Sequence, residues 1–147
     1  MALVSQALLP KVLVYTDGGS RGNPGPAAIG IVLCDSFDDT LAEHRESIGR
    51  ATNNEAEYRA LIKGLDLAPR YTRQRVECHT DSQLVVSQLN GTFQIREPRL
   101  SELASAVQLK VIKFIEVYFH QVSRRHTKIQ RADELVNMAL NERYGHG

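Results

Sequence analysis

The sequence predicts an α/β fold in which a five-stranded mixed sheet is flanked by helices, in the order βββαβααβα. Short apolar runs rich in β-branched residues, separated by tight-turn signals, fill the first third of the chain and indicate consecutive strands. After residue 52 the apolar positions recur every three or four residues, which is typical of a helix. Because the first three strands have short connections, we expect them to be antiparallel.

The first half of the chain supplies three of the strands. β-branched residues favour extended structure, whereas Gly, Pro and Asn favour turns. The segment DGGSRGNPGPA that follows the first strand is therefore predicted to be a tight loop, and DSFDDT a hairpin turn. The predicted strands are Lys11 to Thr16, Ala27 to Cys34 and Leu41 to Gly49.

The second half supplies the helices and two further strands. Thr52 and Asn53 are candidate N-caps of the first helix, and Pro69 is a stop signal. Residues 123–131 are predicted to be a polar loop. The remaining elements are a helix over 53–68, a strand over 74–80, helices over 82–89 and 98–112, a strand over 113–122, and a helix from Arg131 to about Arg143.

Composition limits the class of protein. The 147 residues are enough for one domain, which we assign to residues 1–147 with residues 1–10 as a flexible extension. The net charge of +1 excludes a polybasic protein that binds nucleic acid through its overall charge. Cys34 and Cys78 lack the spacing of a zinc or disulfide motif. No signal peptide or apolar membrane span is evident, so we expect a cytoplasmic monomer without membrane association.

Four acidic residues occupy unusual positions. Asp17 ends the first strand, Asp81 lies between a strand and a helix, and Asp133 opens the last helix. Glu57 shares an apolar helix stripe with Leu61 and other core positions. Each has an ordinary alternative, such as a turn residue for Asp17, a helix cap for Asp81 or a first-turn acid for Asp133. Clustered carboxylates need cations, and oxygen-only donors favour Mg²⁺ or Mn²⁺.

Four motifs occur in an order and spacing that resemble type 1 ribonuclease H: YTDGGSRGNPGPAAIGIVL, TNNEAEYRAL, HTDSQLVVSQLNG and RADELVNMAL. The resemblance runs from about Lys11 to Asn141. It implies a ribonuclease H-like fold and an endoribonuclease that hydrolyses the RNA strand of RNA–DNA hybrids with two Mg²⁺ ions, or Mn²⁺ in their place. The family's metal-binding carboxylates fall on Asp17, Glu57, Asp81 and Asp133.

The same resemblance implies a set of substrate contacts. Asn23, Asn53 and Gln83 would contact the RNA strand, and Thr52 a phosphate of the DNA strand. Short amides are suited to this, because they can both donate to and accept from the 2′-hydroxyls that distinguish RNA from DNA. Without the resemblance, Asn23 is a turn residue and Asn53 a helix cap.

The segment SRRHTKIQR is basic and contains no acid. Its cations, Arg124, Arg125, Lys128 and Arg131, either form a solvated loop or bind phosphate. By resemblance, His126 is a catalytic histidine, although it precedes Asp133 by only seven positions, fewer than in longer-loop relatives. The other strand-region histidines, His79 and His120, are expected to be structural.

The chain has no Trp and lacks the basic protrusion that many family members insert after the third acid, so it resembles the compact form. Two alternatives stay open beside the hybrid nuclease. One is a nuclease of the same fold that also accepts double-stranded RNA. The other is a non-catalytic hybrid-binding module, against which the four acids argue, because clustered negative charge would not help a protein that only binds phosphates.

Overall fold

A computed structural model of the chain describes residues 9–146. Five strands and four α-helices follow one another in the predicted order, with a short 3₁₀ turn at Ala68–Arg70. The strands are β1 Lys11–Ser20, β2 Gly25–Cys34, β3 Thr40–Ala51, β4 Arg75–Thr80 and β5 Glu116–Gln121. The helices are α1 Asn53–Leu67, α2 Gln83–Leu89, α3 Pro98–Val111 and α4 Thr127–Tyr144.

The sheet is mixed, with the spatial order β3-β2-β1-β4-β5. β1, β2 and β3 form an antiparallel meander, whereas β1, β4 and β5 are parallel to one another. The predicted fold class is therefore confirmed. Parallel neighbours place the carboxyl ends of β1 and β4 at the same edge of the sheet, which is the edge where ligands bind in open α/β sheets.

Helices cover both faces of the sheet. α1 packs against β1 and β2 and against α3, and the larger core lies between these helices and the sheet. Val14, Ile31, Leu61 and Leu65 are fully or almost fully buried there. α4 packs across β1, β2 and β3 on the opposite face, over a smaller cluster around Tyr15.

Three element boundaries differ from the prediction by three residues or more. β1 continues to Ser20, because Gly18, Gly19 and Ser20 pair with β2 and only four residues remain for the loop. α4 begins at Thr127, four residues earlier than predicted, because the His126 side chain caps it and Ile129 already lies in the buried face. β5 begins at Glu116, three residues late, because turns continue after α3.

The predicted flexible extension falls mainly on residues 1–8, which lie outside the described residues. Leu9 is held in place, in contrast to the prediction for residues 1–10. Its backbone N–H donates to the carbonyl of Tyr71 at 2.9 Å, and its carbonyl accepts from the Thr72 hydroxyl at 2.7 Å.

Candidate active site

Three of the four predicted acids meet where β4 ends beside β1. Tyr15 pairs with His79 in the parallel register, so Asp17, inside β1, and Asp81, the residue after β4, lie level with each other. One carboxylate oxygen each from Asp17, Glu57 and Asp81 lies within 4.8 Å of the others. All three side chains are partly buried. Strand register therefore assembles the cluster from distant parts of the chain.

Glu57 is fixed by the backbone of β1. The Gly18 N–H donates to Glu57 Oε1 at 2.7 Å. α1 can approach β1 this closely only because Gly18 has no side chain, since a Cβ there would collide with the backbone of Ala56 and Glu57. The apolar stripe through Leu61 and Leu65 then continues into the core. The carboxylate is held at the sheet edge by packing and by one backbone hydrogen bond.

Asp133 lies on the same cavity but not where the sequence predicted. It is the seventh residue of α4 and not a first-turn acid, because the helix starts early. Its side chain is exposed, whereas Val136 and Leu140 are buried, so it stands at the edge of the apolar stripe. The cavity that it borders is also lined by Asp17, Asp81 and Arg124.

The carboxyl groups repel one another strongly. Burial, followed by the charges of Asp133 and Asp81, raises the pKa of Asp17 to about 8. Burial and the neighbouring Asp17 and Asp81 raise the pKa of Glu57 well above its ordinary value. Full ionisation of the cluster is therefore unfavourable, and a divalent cation would relieve this charge density.

Arg124 is the cation nearest to the acids. Its Nε lies 3.5 Å from Asp81 Oδ2, although 85% of its side chain is exposed. Its charge acts against the rise in the pKa of both Asp17 and Glu57, but burial and the neighbouring acids outweigh it. The sequence identified Arg124 only as one of four basic residues. The absence of acids from that segment was the available signal, and the contact with Asp81 depends on the fold.

Comparison with known proteins gives the same assignment as the geometry. The family model described as "Reverse transcriptase-like" matches residues 15–139. The crystal structure of RNase H1 from the archaeon Halobacterium salinarum superimposes with a TM-score of 0.85 at 41% identity, covering 90% of this chain and 98% of that one. The chain belongs to the type 1 ribonuclease H family.

Two further family members are similar over the same region. LC11-RNase H1, whose crystal structure is a complex with an RNA/DNA hybrid, gives a TM-score of 0.82 at 39% identity over 90% of this chain and 98% of that one. The bifunctional protein Rv2228c of Mycobacterium tuberculosis is 42% identical over 89% of this chain. The chain spans only 36% of that protein and 65% of the full Halobacterium ribonuclease HI.

Within residues 9–146, no helix has the length and apolar character that a membrane span requires.

The acid that the family motif places third is free to act in the site. The sequence offered a helix cap as the ordinary role of Asp81, but Ser82 caps α2 by accepting from the Val85 N–H at 3.3 Å. Asp81 is therefore not needed as a cap. Gln83, the first residue of α2, is exposed beside it.

Two of the three amide residues expected to contact RNA are connected by hydrogen bonds at the start of α1. Asn53 Oδ1 accepts from the Ser20 N–H at 3.0 Å, and Asn23 Oδ1 accepts from the Asn53 N–H at 2.9 Å. Both residues are exposed. Thr52 is the N-cap in a reciprocal pair with Glu55, so its hydroxyl oxygen already accepts a helix N–H. These bonds fix the side chains and direct the amide groups to solvent.

The four cations of the segment SRRHTKIQR do not all lie in one loop. Arg131 lies inside α4 and makes a two-bond contact with Glu43, at 2.8 and 2.9 Å, on β3. Lys128 donates to the Thr40 hydroxyl at 3.0 Å. Arg131 and Lys128 therefore hold α4 on the sheet. Their partners are distant in the chain, so the local sequence does not indicate these contacts. Arg124 and Arg125 stay exposed.

His126 lies beside the cavity lining and not within it. Its Nδ1 accepts from the Lys128 N–H at 3.1 Å, which caps α4, and its ring stacks on Tyr15 at 5.0 Å between centroids. An acceptor at Nδ1 leaves the proton of the neutral ring on Nε2. In this arrangement His126 can donate a hydrogen bond from Nε2, and it can take up a proton only at Nδ1, after giving up the cap.

Proposed function

We propose that this chain is a metal-dependent endoribonuclease that hydrolyses the RNA strand of RNA–DNA hybrids. The observation that carries the proposal is the convergence of Asp17, Glu57 and Asp81, whose oxygens lie within 4.8 Å of one another, with Asp133 on the same cavity. The donors are all oxygens, which suits Mg²⁺ or Mn²⁺. Because the carboxylates repel one another, a bound cation would stabilise them.

Each acid has a distinct place in the proposed site. The charges of Asp81 and Asp133 both act on Asp17, so Asp17 would be the central ligand of the proposed set. Glu57, oriented by the Gly18 N–H, and Asp81 would hold one side, and Asp133 the more exposed side. When bound, a pair of divalent ions activates the attacking water and stabilises the leaving 3′-oxygen. In this proposal the protein supplies the ligands, and the nucleophile is water and not a Ser or Cys side chain.

Recognition of the hybrid is assigned to the exposed amides. Asn23 Oδ1 accepts from the Asn53 N–H and Asn53 Oδ1 accepts from the Ser20 N–H, which leaves the NH₂ groups of both amides available to a nucleic acid strand. Gln83 lies beside Asp81, and we propose that these three residues contact 2′-hydroxyls of the RNA strand. Thr52 would contact a phosphate of the DNA strand. The hybrid complex of the similar LC11-RNase H1 supports this choice of substrate.

A panel of four labelled substrates tests the proposal: RNA–DNA hybrid, duplex RNA, duplex DNA and single-stranded RNA, each with Mg²⁺ or EDTA. We expect cleavage of the hybrid only with Mg²⁺, and its loss in Asp17→Asn and Glu57→Gln. The matched control is Glu134→Gln, an exposed acid next to Asp133 whose partner is Arg131. Cleavage of hybrid in EDTA, or full activity of Asp17→Asn, would contradict the metal site.

The amide assignment has its own test. Asn53→Ala should weaken cleavage of the hybrid without changing the dependence on Mg²⁺ concentration, because Asn53 is placed to contact RNA and not the ions. Equal cleavage of duplex DNA and hybrid would rule out recognition of 2′-hydroxyls. Cleavage of duplex RNA would extend the substrate range. The single domain, the monomeric state and the cytoplasmic location remain predictions of the sequence.

A further inference from the structure

A second cluster of metal-ligating side chains lies on the face of the sheet opposite α1. Glu77 and His79 project from β4, and His120, which pairs with His79 in the parallel register, projects from β5. One possible ligand atom from each lies within 4.8 Å of the others. None of the three belongs to the carboxylate site, and nothing in the proposed ribonuclease mechanism uses them.

The distances within this cluster fit a tetrahedral ion. Ligand atoms bound at 2.0–2.2 Å to one tetrahedral zinc ion lie roughly 3.3–3.6 Å apart. Glu77 Oε1 and His120 Nε2 are 3.5 Å apart. Two imidazoles on one such ion have ring centres about 5 Å apart, and the rings of His79 and His120 are 5.2 Å apart. Little movement is therefore needed to bring the ligands to one ion.

The residues around the cluster hold its side chains in place, as hydrogen-bonding and packing partners do for the ligands of known metal sites. Tyr15 stacks on the His79 ring at 4.7 Å and fixes its plane. Arg75 Nε, at 2.8 Å, and Lys11 Nζ, at 3.6 Å, contact Glu77 Oε2, so that Oε1 is the oxygen directed to His120. The two cations thus lie on Oε2 of Glu77, and Oε1 is the oxygen that lies 3.5 Å from His120 Nε2.

An unsatisfied polar atom gives an independent observation. Among residues 9–146, Nδ1 of His79 is the one buried side-chain nitrogen or oxygen that lacks a hydrogen-bond partner. Buried polar groups are nearly always paired, because leaving one unpaired is costly. One nitrogen of the His79 ring therefore has no hydrogen-bond partner of normal geometry within the described residues, and this ring contributes one of the three ligand atoms of the cluster.

We propose that Glu77, His79 and His120 bind one transition-metal ion of the Zn²⁺ class. Two imidazoles and a carboxylate are a donor set that suits zinc, and the hard ion Mg²⁺ disfavours nitrogen donors. The cluster is open to solvent on the side of His120, since 45% of that side chain is exposed. The site is separate from the carboxylate cluster and does not depend on the proposed function.

Metal titrations of the full, untagged chain test the site, with excess Mg²⁺ present to occupy the carboxylates. Zn²⁺ binding is measured by calorimetry, and Co²⁺ binding by the visible absorption of the four-coordinate ion. We expect one Zn²⁺ per chain, weakened at least tenfold in His120→Ala and also weakened in Glu77→Gln. The matched control is His44→Ala, which removes a histidine that contacts Glu46 at 2.9 Å elsewhere on the surface.

The variants separate this site from the active site. Asp17→Asn should leave Zn²⁺ affinity unchanged even if it abolishes cleavage, so the two proposals can fail independently. His120 is exposed on its strand, and circular dichroism verifies that His120→Ala retains the fold. Equal Zn²⁺ affinity in the unmodified chain and His120→Ala would overturn the site, as would an equal loss in His44→Ala or a loss of the Zn²⁺ signal in Asp17→Asn.

Discussion

Replacing Asp17 with Asn should stabilise the metal-free protein while removing its activity. The pKa of Asp17 is raised from 3.8 to about 8, chiefly by burial and then by Asp133 and Asp81. The folded state therefore binds a proton that the unfolded state releases. This group weakens folding progressively as pH rises from the unfolded to the folded pKa, and it has no such effect below the unfolded pKa. Asn has no charge to bury, so the variant avoids this cost.

The magnitude follows from the linkage between pKa and stability. At pH 7 the difference between the folded and unfolded pKa of Asp17 corresponds to a loss of about 4 kcal/mol in the free energy of unfolding. Glu57 and Asp81 share the same repulsion, and Asn cannot reproduce every contact of the carboxyl group. We therefore expect the free energy of unfolding in EDTA to rise by about 1–4 kcal/mol at pH 7, and the difference to vanish near pH 4.

Urea unfolding in EDTA at a series of pH values measures this effect. Asp39→Asn is the control, because Asp39 is exposed in the turn between β2 and β3. Adding Mg²⁺ should reverse the order of stability, since ions that bind only the folded, unmodified site stabilise it by mass action. A variant no more stable than the unmodified chain at pH 7, or a difference independent of pH, would refute the account of the acid cluster.

Three other substitutions test single features of the site. Gly18→Ala should lower the free energy of unfolding by about 1–3 kcal/mol and reduce cleavage, because a Cβ forces Glu57 away from β1; urea titration and hybrid cleavage measure both. Thr52→Ala should cost about 1 kcal/mol in the same titration through loss of the helix cap, and Thr52→Ser should restore it. His126→Ala should lower kcat at least tenfold with little change in KM, as expected for roughly 10²–10⁴-fold acid–base roles. An unchanged kcat between about pH 6 and 9 would leave His126 only its cap and its stack on Tyr15.

Local patterns predicted the elements better than their ends. The helical stripe through Leu61 and Leu65 and the β-branched runs depend on neighbours in sequence, and these predictions are confirmed. The boundaries depend on other elements. β1 extends to Ser20 only because β2 returns beside it, and α4 starts early because His126 provides a cap that its residue type does not usually signal.

The role of each charged residue was the least predictable part of the site. Asp81 was open to interpretation as a cap, and Ser82 has that role instead. The sequence groups Arg131 with cations that either form a solvated loop or bind phosphate, yet it pairs with Glu43, 88 positions away in the chain. A long flexible side chain reaches whichever opposite charge the fold brings near it, and the local sequence does not contain that information.

By itself the sequence determined the order of the elements, the fold class and, through its motifs, the four acids. Each of these features depends on residues that lie close together in the sequence, either at spacings of a few residues or in one short motif. Only the tertiary structure decided that Asp17, Glu57 and Asp81 converge while Asp133 stays exposed, and that His79 and His120 lie side by side. The reason is physical: strand register and helix packing set distances between residues far apart in the chain, and burial together with those distances sets the pKa of each carboxyl group.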